Sequence, residues 1–413
     1  MRRPAAGALV LLLALGVALA LTVPWTVLPG ADLRPDALRD FSPEQLAREV
    51  AFHDAIRPSS YASLALGIVV AAVLGLTRRG ARVVTAVARP LGGGWKAQVV
   101  LGVLALALLG RLAVLPLSIR SEAVLRDYGL STQTWPSWAQ DVAKGLLVDT
   151  ALTSLALVTL VALARRSPTA WWAWGAAATA ALVVAGSFAY PLVVEPVFND
   201  FRPLERGALR DDLLALAERD GVPVEDVLVA DASRRTTALN AYVSGFGGSR
   251  RIVVYDTLLS AAPPEEVRLI VAHELGHAEE QDVLIGTAMG ALGAAAGICG
   301  LALVLSWGPL LRKAGASGMA DPQVIPLVLL VVAVATLALA PATNLVSRRV
   351  EARADLHSLD LTGDAATFQA SQRRLALRNL SDLQPDPVAS AFFATHPGVT
   401  ERLAFAREWE RLR

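Results

Sequence analysis

The chain has 413 residues, 54% of them apolar and 18% charged, against about 25% charged in soluble domains. With a net charge of +1 and one cysteine, Cys299, it has neither a basic arm for nucleic acid nor the thiols for an intrachain disulfide framework or thiolate metal cluster. What remains is an all-α polytopic membrane protein.

Seven apolar runs approach the ~20 residues that cross a bilayer, at 7–28, 60–77, 97–118, 146–164, 171–194, 284–306 and 325–346. The first follows Met1-Arg2-Arg3 and contains Ala18-Leu19-Ala20, as a cleaved leader would. It continues to Leu28, which favours a span. In the third run, Arg111 lies at a depth similar to Asp149 in the fourth. Such residues pair with each other or line a wet chamber. Trp171, Trp172 and Trp174 open the fifth run, where an aromatic belt sits.

Polarity then rises over 195–283. Leu204–Arg219 reads as a helix, and Val224–Ala230, Leu239–Phe246 and Ile252–Tyr255 read as strands, with Gly247-Gly248-Ser249 as a hairpin turn. Pro263-Pro264 start a helix that runs through His277. After the last run, 347–413 is Arg-rich and mostly helical. The chain thus divides into spans one to five (1–194), a small α+β segment (195–283), spans six and seven (284–346) and a C-terminal helical segment (347–413). Short-loop Arg and Lys number 11 on the N-terminal side and 7 on the other, which sets the N-terminus inside; the ends of the long segments reverse this to 14 against 11. The charge rule therefore does not fix the orientation.

The chemistry centres on His273-Glu274-Leu275-Gly276-His277. Helical spacing brings positions i and i+4 onto one face, so both imidazoles can bind one Zn²⁺, and Glu274 can take a proton from a nearby water. A catalytic zinc needs a third protein ligand and an open fourth position. Glu351, just beyond span seven, lies on the same side of the membrane as the His pair if spans six and seven form a hairpin. Its spacing fits a ligand and an Arg348 partner equally well. Asp355, one turn further, can orient a ligand histidine. His396 can donate to an oxyanion, but by itself, like Asn240, it reads as a capping or turn residue. His53 and His357 read as structural or exposed, and Cys299 as a small buried hydrophobe.

Several pieces occur in one order: Asn240-Ala241-Tyr242 with Gly245-Phe246, Arg251–Leu259, His273–His277, Ser347-Arg348-Arg349 with Glu351 and Ala354-Asp355, and Thr395-His396-Pro397. Over nearly its whole length the chain resembles the type I CAAX prenyl endopeptidases, integral-membrane zinc metalloproteases of the gluzincin type. Tyr128–Thr134 resembles that family's loop before the fourth span. The resemblance implies seven tilted helices forming a barrel around an internal chamber, with one Zn²⁺ per chain facing inward. It implies His273, His277 and Glu351 as ligands and Glu274 as general base. Asn240 and His396 would hold the substrate or oxyanion, supported by Asp355 and Arg402. It suggests a peptide or protein substrate held as an extended strand near Asn240, with a lipid modification in CAAX proteins, and membrane lipids but no nucleic acid as partners. The expected place is a bacterial plasma membrane, the zinc site on the cytoplasmic side. His396-Pro397-Gly398 departs from the family's usual His-Pro-Pro. Two alternatives remain: an HtpX-like quality-control protease, and a seven-helix binding or transport protein with a structural zinc.

Overall fold

Seven helices are long and apolar enough to cross a membrane: Arg2–Thr22, Pro43–Gly75, Trp95–Asp127, Trp135–Arg166, Trp171–Phe198, Asp282–Val304 and Pro322–Thr362. They are seen in a computed structural model that describes residues 2–413. All seven expected spans are present. Most extend well past the apolar run that announced them, because hydropathy falls where lipid ends while backbone hydrogen bonding continues. The helix of span seven, Ile325–Thr362, has 38 residues. At 1.5 Å per residue it is about 57 Å long, far more than the ~30 Å hydrocarbon layer. Its last turns carry Glu351 and Asp355 out of the span.

Neighbouring spans pack in the order six, five, four, three, two, seven, and seven returns to touch six. Span one lies against six and five. Span five buries only Gly175 and Ala176, so most of its side chains face lipid or the space within the ring. One core joins spans three to seven through Val103, Leu157, Leu160, Ile298 and Leu327. Cys299 is buried there. Of the two readings of Arg111 and Asp149, the ion pair is not made; Asp149 lines a small, mostly apolar cavity with Thr150 and Thr153.

Between spans five and six lies a four-stranded sheet, β1 (Phe201–Pro203), β2 (Asp226–Ala230), β3 (Ala241–Ser244) and β4 (Arg251–Tyr255), in the order β1-β2-β4-β3. Strands β3 and β4 form the expected hairpin, Ala241 opposite Val254 and Ser244 opposite Arg251. Strand β1 was not anticipated. Three residues long and ending in proline, it is a blunted edge. That leaves β3 as the edge able to take another strand. The helix Ala208–Arg219 and the motif helix Pro264–Glu279 cover the sheet, sharing a core of Leu213, Val227, Ile252, Val254, Val271 and Leu275. The C-terminal part forms helices Ala365–Asn379, Pro387–Phe393 and Val399–Leu412.

Candidate active site

The motif helix starts at Pro264, with Glu265 and Glu266 in its first turn, where carboxylates suit the helix dipole. Arg374 grips Glu266 with two hydrogen bonds, 2.7 and 3.0 Å. Gly276 lets this helix approach span seven closely. A Cβ there would stand 3.0 Å from the His357 ring, itself held by Asp220 at 3.0 Å.

This approach brings His273, His277 and Glu351 together, with one ligand atom from each within 4.8 Å of the others. His273 Nε2 lies 3.2 Å and His277 Nε2 3.6 Å from opposite oxygens of Glu351. The Nδ1 atoms face outward, each to its own carboxylate: His273 to Asp355 at 3.0 Å and His277 to Asp282 at 2.9 Å. Both Nε2 atoms therefore point at one spot beside a carboxylate. Each supporting carboxylate has an arginine. Arg402 grips both oxygens of the buried Asp355, at 2.8 and 2.5 Å. Arg353 pairs with Asp282 and reaches Glu280 at 3.1 Å.

The donor set fits a divalent cation. Burial opposes charge on both imidazoles, yet the surrounding carboxylates hold their pKa above the usual value, His277 to about 10. A site that draws positive charge so strongly, with two nitrogens and one carboxylate converging, has the chemistry of a three-ligand metal centre. Glu351 does not pair with Arg348, the alternative its spacing allowed. Arg348 instead donates to the Ser390 and Ala394 carbonyls, 3.2 and 2.8 Å. Together with Asn344 Nδ2 donating to Ala391 (3.1 Å), this pins the helix Pro387–Phe393 to span seven and delivers His396.

His396 Nε2 lies 3.2 Å from Glu351 Oε2, with its side chain 57% exposed. Thr395 Oγ1 lies 2.9 Å from Nδ1. A hydroxyl donating there leaves the ring hydrogen on Nε2, facing the site. Asn240 precedes the edge strand β3, exposed to the cleft. Its position is set from behind: the Asn379 amide bonds both the N–H and the carbonyl of Leu239, 2.9 and 3.2 Å. Glu274 lines the cleft beside His273, and burial pushes its carboxyl pKa up.

Two cavities of about 880 Å³ each meet here, and both are lined by Asn240, His273, Glu274 and His396. One runs under the 381–398 stretch, past Ser390 and Phe393. The other runs along β3 to Phe188, Phe246, Val283 and Leu284, with His277 and Glu351 in its wall.

All eight expected site residues thus lie in one region. Two supports were missed: Asp282 with Arg353, and Asn379. Asp282 reads as the polar first residue of span six. It reaches His277 because Gln281 adopts a left-handed backbone, φ 56°, rare outside glycine. His53 is structural, 3.1 Å from both Glu49 Oε1 and the Leu380 carbonyl.

Seven spans and an H-E-x-x-H helix packed on a small sheet define an integral-membrane metalloprotease. Residues 203–410 match peptidase family M48, and residues 58–200 match the family described as CAAX prenyl protease N-terminal, five membrane helices. The chain belongs to the M48 family of CAAX prenyl protease type. It is similar to the uncharacterized metalloprotease YhfN of Bacillus subtilis (32% identical; 75% of this chain, 73% of that one). It is also similar to a CAAX prenyl protease 1 homolog of Oryza sativa (32%; 70% and 68%) and to CAAX prenyl protease 1 of Saccharomyces cerevisiae (27%; 72% and 69%). Its fold is that of the S. mikatae Ste24p crystal structure, TM-score 0.76 over 98% of each chain at 22% identity. These findings favour the membrane metalloprotease over both alternatives.

Proposed function

We propose that this chain is a zinc endopeptidase that cuts an extended peptide lying across Glu274. The observation that carries this is the cleft's form: two lobes meet at the site, so chain can continue on both sides of the scissile bond. His273, His277 and Glu351 would hold the zinc. When bound, zinc polarises the scissile carbonyl and makes water acidic enough to attack at neutral pH. Glu274 takes a proton from the attacking water and returns it to the leaving amine; its raised pKa suits both tasks. Asn240 and the Nε2–H of His396 donate to the carbonyl oxygen as charge develops on it. Asp355, held by Arg402, fixes the ring of His273. Edge strand β3 holds the substrate through main-chain hydrogen bonds.

The names of the rice and yeast relatives support a CAAX-type, lipid-modified substrate. The lobe walled by Phe188, Phe246, Val283 and Leu284 suits an apolar appendage beside the spans. The test is cleavage of a fluorogenic CAAX peptide with and without a farnesyl group, the Glu274→Ala protein alongside. Cleavage that needs both Glu274 and farnesyl is expected. Equal cleavage without farnesyl would remove the lipid requirement and leave a broad endopeptidase. Full activity of Glu274→Ala would overturn the mechanism. The Bacillus relative supports a bacterial plasma membrane, and we place the site on its cytoplasmic side. A Glu410→Cys variant should then react with an impermeant maleimide only after lysis, since native Cys299 is buried.

A further inference from the structure

On the membrane face opposite the metal site, residues 1–6, 76–96, 165–170 and 305–324 hold 11 Arg and Lys and a single carboxylate, Asp321. The helix Arg78–Ala88 lies on this face. Its buried residues Ala81, Val84 and Ala88 pack inward. Gly80 presses so close to span seven that a Cβ would stand 2.7 Å from Pro326. The outward stripe is Arg78, Arg82, Thr85 and Arg89, spaced four, three and four apart as on one helical face. These four and Arg312 line one groove of about 800 Å³, with Asp321 and Gln323 also in its wall.

We propose that this groove binds the phosphate headgroup of an anionic membrane lipid. Four arginines line it, three from the 78–89 stretch and Arg312 from the helix Gly308–Ala314. Among the described residues, none has a carboxylate within ion-pair distance. Asp321 is the one carboxylate among the lining residues; its oxygens accept from Ser317 N, Ser317 Oγ and Gln323 N, each at 3.0 Å, so one negative charge stands against four guanidinium groups. The Arg78 side chain lies against Gly315, whose backbone is left-handed (φ +80°). Four like charges beside a single carboxylate repel on balance, and a phosphate matches the guanidinium fork. A lipid is favoured over free phosphate because basic pockets between spans meet headgroups at high local concentration. Leu91 and Trp307 flank the arginines in sequence and are 69% and 62% exposed, as suits side chains at the acyl boundary.

The full-length protein in mild detergent, offered equal phosphatidylglycerol and phosphatidylcholine, would be weighed by native mass spectrometry. Retention of phosphatidylglycerol about tenfold or more over phosphatidylcholine is expected, with the preference lost in Arg78→Glu/Arg312→Glu. Arg82→Gln/Arg89→Gln is the milder second variant, expected to lose part of it. Metal content and melting temperature report folding in both. Equal retention of the two lipids, or an undiminished preference in well-folded variants, would overturn the proposal. So would inorganic phosphate that raises the wild-type melting temperature as much as phosphatidylglycerol does.

Discussion

Glu274, His273 and His277 share one stretch of helix, yet the roles proposed for them are separable. Replacing Glu274 by Ala should lower peptide hydrolysis by about 10²–10⁴-fold, while metal content measured on the purified protein stays at the wild-type ratio. Asp282 offers the converse. It touches His277 Nδ1, not the cleft's meeting point, so Asp282→Asn should leave the fold intact and weaken metal retention by about 10–100-fold. Chelator competition reads this without any activity assay. Unchanged retention would show that His277 needs no carboxylate behind it. The H-E-x-x-H pair was plain in the sequence because two ligands four apart must share a helical face. Asp282 was hidden for the opposite reason. Only a left-handed Gln281 brings it back, and no local pattern announces a non-glycine residue in that conformation.

Among elements, the last helix, Val399–Leu412, meets span seven through Trp409 Nε1 on Asp360 (2.6 Å) and through the ion pair of Arg402 and Asp355. Both are nearly out of water, at 12% and 2% side-chain exposure. Removing one partner strands the other's charge, so Arg402→Ala should destabilise the protein by about 3–5 kcal/mol, read as a lower melting temperature in detergent. Arg402→Lys should recover only part of this, since an ammonium cannot grip both carboxylate oxygens as the fork does. Element types were largely legible: the hairpin glycines, Pro263-Pro264 and the seven apolar runs were all correct signals. Lengths were not. Span seven was expected to stop at 346 and its helix runs to Thr362, because apolarity reports the lipid and not the helix. Three-residue β1 carries no alternation to detect. Whether Arg111 and Asp149 pair or line a cavity stayed open in the sequence, because equal depth along two helices says nothing about the rotation of either.

At the scale of the whole molecule, the two-lobed cleft makes substrate length the decisive variable. Peptides reaching into both lobes should be cut faster than peptides trimmed on either side of the same bond. The loss should appear in kcat as well as KM, since remote binding energy helps to orient the scissile bond. Equal kcat/KM for full-length and trimmed peptides would show that one lobe is idle. The ring of spans could be counted from hydropathy, but its packing order, with span one outside against six and five, could not. Apolar runs specify that a helix meets lipid, not which neighbour it meets.

The helix Val399–Leu412 also meets the loop after span one. Val27 and Leu28 pack with Phe405 and Trp409, and Arg411 donates to the Gly30 carbonyl. The final helix that makes this contact also bears Arg402, and His396 lies just before it. During synthesis, the spans and the H-E-x-x-H turn emerge from the ribosome before the helix that bears Arg402. If His396 and Arg402 act as proposed, the site is complete only once that helix has docked onto the loop after span one.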